Sequence, residues 1–358
     1  MVPALRRPPC VVPFSGGRDS SAVLAVATQV ARRDGLPLPL PVTVRFPQAS
    51  RTDETVWQEL VIAHLELPDW ERMELGTANG EFDLVGPLAA RGLVRHGLLW
   101  PANAHFHVPL LEGASGGSLL SGIDGDALFG GWSWPRIGAV LARRVPPEPR
   151  DLLRFGYAAA PRVVRSWVVR RRGQLPGAAS WLRPRARVAY DRAATRQQSP
   201  LRWSAHVATL AGARYLEVTC TSLQALADDT GTLVVHPFLD RRFLAALAST
   251  GGAWGWGGRA LTTAALFGEL LPEKTVTRSS KALFDEVFWS EPSRQFARHW
   301  DGTGVHDELV DPDALKREWL SATPHAGSGT LLQAAWLHAQ RSMVAGNDSE
   351  RRRGGHDG

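Results

Sequence analysis

Residues 11–21 read VVPFSGGRDSS, and the fold follows from how this stretch is built. Val11–Phe14 is a short apolar run of strand length, the glycines that follow are turn formers, and SAVLAVATQVARR from Ser21 has helical spacing and good helix formers. In a strand, glycine loop, helix unit, Gly16 and Gly17 let backbone N–H groups close round an anion. The helix N-terminus adds attraction for negative charge. Ser15, Ser20 and Ser21 supply hydroxyl donors, and Asp19 is placed to hold a magnesium ion beside phosphate oxygens. No lysine in the chain follows a glycine, so this is not a Walker A loop. Read alone, the same residues also describe an ordinary glycine turn with a serine cap, and the rest of the chain decides.

Outward from the loop, PVTVRF at 41–46, ERMEL at 71–75 and GSLLSG at 117–122 are further strand candidates. Between them Asp53 reads as the N-cap of a helix with an apolar face of Val56, Trp57, Leu60, Val61 and Leu65. This alternation predicts a parallel sheet with helices on both faces and a ligand at the strands' carboxyl ends. After Trp132 the strand signals give way to helical periodicity, as in PRDLLRFGYAAAPRVVRSWVV and FLDRRFLAALAST. The tail DSERRRGGHDG has nothing to bury and reads as disordered.

Composition narrows the class. With 358 residues, 44% hydrophobic and 21% charged, the chain can build a large core, and no apolar run approaches the roughly 18 residues of a membrane span. No secretory h-region follows the N-terminus, which places the expectation in the cytoplasm. Cys10 and Cys220 supply neither a disulfide framework nor a zinc site. Lysine is nearly absent: Lys274, Lys281 and Lys316 stand among 41 basic residues. Residues 135–196 hold fifteen arginines against Glu148, Asp151 and Asp191, a net of +12 in a chain of net +6.

Four ordered segments carry a family resemblance. SGGRDSS resembles the SGGxDSS pyrophosphate loop of the N-type ATP pyrophosphatases, and SGIDGDALFGGW at 121–132 resembles the SGxGxDExFGG segment of the asparagine synthetase branch. HPFLDRRFLAAL at 236–247 is similar to that branch's PFLD segment, and Leu271, Pro272, Arg278, Lys281 and Phe284 to its LP, R, K and F positions. The resemblance implies an α/β fold: a doubly wound, mainly parallel five-stranded sheet of the adenine nucleotide alpha hydrolase kind with a mainly helical C-terminal half. The expected organisation is a 1–132 α/β core, a 133–200 basic helical insertion, a 201–345 helical part completing the site and a 346–358 tail.

The resemblance further implies an AMP-forming carbon–nitrogen ligase using ATP and magnesium, in which a carboxylate is adenylated and an amine displaces AMP. On matching positions, Ser15, Gly16, Gly17, Asp19, Ser20, Ser21, Ser121 and Gly122 would bind ATP and pyrophosphate. Asp19 and Asp126 would hold magnesium, with Asp126 and Lys281 as catalytic residues. A lysine retained in a lysine-poor chain fits a compact cation for charge on the departing pyrophosphate. Residue 2 is Val2 and the sheet starts by residue 11, so no N-terminal glutaminase is expected. The amine then comes from ammonia, a separate glutaminase or the substrate itself.

Departures favour the last source. Ile123, Asp124 and Ala127 replace an acid, a glycine and an acid; Leu233, Val234 and Val235 replace a polar E-x-R run; and PANAHFHVP before the SGxG strand offers no aspartate clamp. The lasso peptide cyclases and β-lactam synthetases, which close an amide within one substrate, are the relatives this suggests. The expected partners are a carboxylate-bearing small molecule or precursor peptide, with a separate glutaminase or leader-peptide-binding protein, and neither a membrane nor nucleic acid.

Other classes remain in view. GASGG at 113–117 matches a nucleophile-elbow pattern, but a strand follows it where a helix should. His105 and His107 would share a strand face without a convincing third metal ligand. The arginine-rich segment permits an RNA-binding, tRNA-modifying protein, although Val163, Val164, Trp167 and Val168 read as the buried stripe of an amphipathic helix. Trp254 and Trp256 read as a loop over the site or as packing. Ile123 and Ala127 also motivate a non-catalytic nucleotide-binding partner.

Overall fold

A computed structural model describes residues 1–358 apart from 77–79, 162, 166, 169–178, 197–198, 279–281, 283 and 355–358. Five strands form one all-parallel sheet: β1 (Cys10–Pro13), β2 (Leu40–Arg45), β3 (Glu71–Glu74), β4 (Ser118–Leu120) and β5 (Leu233–Val235). Their order is β3-β2-β1-β4-β5. Val11 sits opposite Leu40 and Leu119, and Leu119 opposite Val234. The chain moves outward from β1 through β2 to β3, then returns to the other side of β1, so the winding reverses between β1 and β4. Ligands of such sheets bind outside the carboxyl ends at that switch.

This is the doubly wound α/β sheet that the sequence predicts, with one difference in where its strands come from. β5 lies in the half read as helical. Three residues are too few for a periodic signal, and pairing to β4 through Ser118↔Leu233 and Leu120↔Val235 makes them a strand. The first helix of the sheet layer, Arg18–Asp34, buries Ala22–Ala25, Ala27 and Ala31 and ends on Gly35 in the left-handed region at φ 63°. The next helix is Thr55–His64; Asp53 sits one residue further out than an N-cap and accepts from the Thr55 N–H (2.9 Å) and Oγ (2.6 Å).

Two compact units divide the chain, and neither is contiguous. The first comprises 1–75, 107–173 and 195–283; the second comprises 76–106, 174–194 and 284–358. The segment read as one basic insertion is thus shared between them. The first unit's core gathers Val12, Phe14, Leu24, Leu120, Phe129, Trp132, Trp203 and Phe238 around the sheet. Trp256 meets the Trp203 ring at 5.7 Å, and with Trp254 is packed on this core, which is the packing role of the two readings. The second unit has its own core, with Trp181, Trp289, Trp300, Trp319 and Leu315. Its buried Asp83 accepts from Val85 N–H (3.0 Å), Ser290 N–H (2.8 Å) and Ser293 Oγ (2.5 Å).

Three local expectations are corrected, and one further helix face is set by a buried acid. Val163 (75% exposed), Val164 and Trp167 face solvent rather than the core. The inward residue of that turn is Arg165, which donates to Ser199 O (3.3 Å). In the helix Pro149–Ala159, Asp151 and Ala158 share a face and are buried, which turns Leu152 and Leu153 outward. Residues 104–107 form a 3-10 turn, not a strand, and His105 Nε2 bonds Phe82 O at 2.9 Å. The last helix, Gly329–Gly354, runs through most of the segment read as a tail. No helix among the described residues is long and apolar enough to cross a membrane.

Candidate active site

The loop after β1 is built as its sequence suggests. Gly16 has φ +74°, a backbone state that side chains disfavour, and a Cβ there would lie 2.9 Å from Gln58 Cγ. Gly17 begins the helix at Arg18. Ser15 Oγ accepts from Gly17 N–H (3.3 Å) and meets Ser20 Oγ at 3.1 Å; Ser20 Oγ also lies 3.1 Å from Gly17 O. Ser21 Oγ is buried with no hydrogen-bond partner among the described residues.

The second loop follows β4, on the other side of the switch point. Ser121 N–H donates to Val235 O (3.0 Å), and its hydroxyl meets His236 Nδ1 at 2.6 Å. Burial, with a smaller effect from His107, pushes the His236 pKa down to about 4, so the ring is neutral at ordinary pH. Asp124 occupies the left-handed region (φ 70°), where an Asp is tolerated better than most side chains, so the departure from glycine keeps the turn. Its carboxylate accepts from Tyr215 OH at 2.6 Å, and burial pushes its pKa up to about 6. Gly122 and Gly125 lie against Asp19, and a Cβ at Gly125 would collide with the Asp19 carboxyl.

Asp19 and Asp126, separated by more than a hundred residues in the chain, are brought together. A single guanidinium, that of Arg259, ion-pairs with Asp19 Oδ2 (2.9 Å) and with Asp126 Oδ1. Two carboxylates within reach of one cation, with room kept by Gly125, can hold magnesium in its usual fashion: a pair of carboxylates completed by substrate phosphates and water. Among the described residues no cluster of three or more metal-ligating side chains occurs.

Two further arginines converge on the phosphate loop. Arg278 is buried, pairs with Glu54, donates to Gly16 O (2.8 Å) and lies 4.7 Å over the Trp57 ring. Arg18 donates through Nε to Val276 O (2.8 Å) and through Nη2 to Arg278 O. Its pKa is lowered by burial and then by the charges of Arg259 and Arg278, which places three guanidiniums in one electrostatic neighbourhood. Such a neighbourhood suits a polyphosphate.

Every predicted phosphate-loop residue, together with Ser121, Gly122 and Asp126, thus lies at the carboxyl ends of β1 and β4 or on the turn and helix that follow. Lys281 lies outside the described residues. Sequence patterns assign no role to Arg18, Arg259 or His236, and the resemblance gives Arg278 a matching position without a role. The only sequence signal for Arg259 is its place after GGAWGWGG at the start of a helix, Arg259–Phe267.

No curated protein matches the sequence. The description Asparagine synthase belongs to a family model that matches residues 5–343. Nearly the whole chain, phosphate loop, switch-point carboxylates and PFLD segment included, falls inside that match, and the chain belongs to the asparagine synthase family of ATP-dependent amide-forming ligases.

Proposed function

We propose that the chain adenylates a carboxylate with ATP, releases pyrophosphate, and joins the activated acyl group to an amine of the same substrate, closing a macrolactam of the lasso-peptide type with loss of AMP. The adenylating half rests on one observation: a glycine-rich anion loop and two carboxylates share the switch point with three guanidiniums. Loop N–H groups and Ser15, Ser20 and Ser21 are suited to orient the β- and γ-phosphates, and Arg278 keeps the loop's Gly16 carbonyl turned inward. Asp19 and Asp126 would hold magnesium, which supplies charge neutralisation between phosphate oxygens when bound. Lys281, three residues beyond Arg278 in sequence, is the cation proposed for the departing pyrophosphate.

An intramolecular amine is favoured by the carboxyl ends of β4 and β5. Ile123 and Leu233–Val235 are apolar at positions where the resembled segments carry an acid and a polar run, residues suited to grip a free charged amino acid. Asparagine formation from ammonia is the second reading, favoured by the family match.

The test is AMP and pyrophosphate release from Mg-ATP with two substrates in parallel. One is aspartate with ammonium; the other is a peptide with a free N-terminal amine and an internal Asp or Glu. AMP matched by peptide dehydration supports macrolactam closure. AMP matched by asparagine overturns it in favour of the second reading, and no AMP with either refutes both substrate assignments. Lys281→Ala should lower turnover by about 100-fold to 1,000-fold while nucleotide binding persists, and unchanged turnover removes Lys281 from the mechanism.

A further inference from the structure

We infer that Arg259 is a built-in counter-cation that keeps Asp19 and Asp126 closed to a bare divalent metal until nucleotide phosphates draw its guanidinium away. The inference rests on the ligase reading above and concerns how its metal site is loaded.

The three guanidiniums at the loop are engaged differently. Arg18 donates to the main-chain carbonyls of Val276 and Arg278, and Arg278 is held by Glu54 and Gly16 O. Those contacts build the loop and would persist with any ligand present. The ion pairs of Arg259 are with the two carboxylates proposed to bind metal. Its stem is seated, since a Cβ at Gly130 would come within 3.1 Å of Arg259 Cβ, and its side chain is 28% exposed. The Nε–H is buried and has no hydrogen-bond partner among the described residues, so the side chain retains a donor its present contacts do not use.

A metal ion arriving alone must break two ion pairs and then share the carboxylates' surroundings with a fixed positive charge. A metal arriving with ATP meets a different balance. Phosphate oxygens are planar-fork partners for a guanidinium as good as carboxylates, and they engage donors such as Nε–H. The exchange moves Arg259 from Asp19 and Asp126 to the nucleotide and leaves both carboxylates for the metal. Metal and nucleotide therefore bind cooperatively, each strengthening the other.

The experiment measures Mn2+ binding by electron paramagnetic resonance, with and without α,β-methylene ATP. It uses the full chain, Arg259→Gln, and Arg259→Gln combined with Asp126→Asn. Without nucleotide, R259Q should bind Mn2+ about tenfold or more tightly than the unaltered chain, and D126N should remove the gain. The analogue should raise Mn2+ affinity strongly in the unaltered chain and much less in R259Q. If R259Q folds poorly, Arg259→Met keeps the packed stem and carries the same expectation. Nucleotide-free Mn2+ binding no tighter in the variant, with the analogue still recruiting Mn2+ to the unaltered chain, overturns the Arg259 inference and leaves the ligase reading standing. Failure of the analogue to recruit Mn2+ to either protein overturns the metal-dependent ligase reading itself.

Discussion

Arginines crowd two regions of this molecule, the switch point between β1 and β4 and the segment 135–168, and the two use them in opposite ways. At the switch point three guanidiniums gather at a loop whose own contribution is backbone N–H groups and hydroxyls: Arg18 and Arg278 hold main-chain carbonyls, and Arg259 pairs with Asp19 and Asp126. In the segment, Arg136, Arg144 and Arg154 hold structure together. Arg136 spans Glu148 (2.8 Å) and Asp151 (3.0 Å), Arg154 also reaches Asp151 (3.1 Å), and Arg144 donates to Gly255 O (2.6 Å). Asp151 is pulled down to about 2, chiefly by its bonds from Arg136. The net charge of +12 over residues 135–196 therefore says little about partners until the bonds of each guanidinium are known. The sparser charge at the sheet ends is the one gathered round the glycine loop.

The sharpest test of that contrast is Arg278→Ala against Arg154→Ala. Removing Arg278 strands the buried carboxylate of Glu54 and releases Gly16 O, so urea unfolding should show a loss of about 3–5 kcal/mol. A loss as small as that of the exposed Arg154 would erase the distinction. Next in size is Gly16→Ala, which meets Gln58 and a positive φ, and should cost about 1–3 kcal/mol and weaken nucleotide binding, read by calorimetry. Preserved stability with preserved nucleotide affinity would show that the loop tolerates a side chain.

Acid stability distinguishes the regions further. The unfolded His236 imidazole takes a proton near pH 6.5, whereas the folded one resists until about pH 4. Its contribution is therefore fully present above about pH 7 and is lost as pH falls between those values, by about 1–2 kcal/mol once partial exposure is allowed for. Denaturation midpoints of His236→Asn should fall less steeply over that interval than those of the unaltered chain; parallel slopes would contradict a neutral, half-buried His236. The smallest effects belong to the arginine-rich segment. Arg154→Ala and Leu153→Ser, at exposed positions, should each stay within about 0.5 kcal/mol, and a larger loss of melting temperature would mean that this face packs against something in solution.

The amino-acid sequence by itself determined the phosphate loop and most of the sheet around it. An anion cradle of consecutive N–H groups is made by neighbours in the chain, and strand and helix periods are local. The same holds for Ser121, Gly122 and Asp126, which lie on the turn and helix start just after one strand. The tertiary structure decided everything that depends on residues far apart. Arg259 and Asp19 are separated by 240 positions, Arg278 and Gly16 by 262, and Ser121 and His236 by 115. No periodicity encodes such pairs. Pairing decided that Leu233–Val235 is a strand, where a long-range contact outweighed a local pattern, and the inward bonds of Asp151 decided that Leu152 and Leu153 face water.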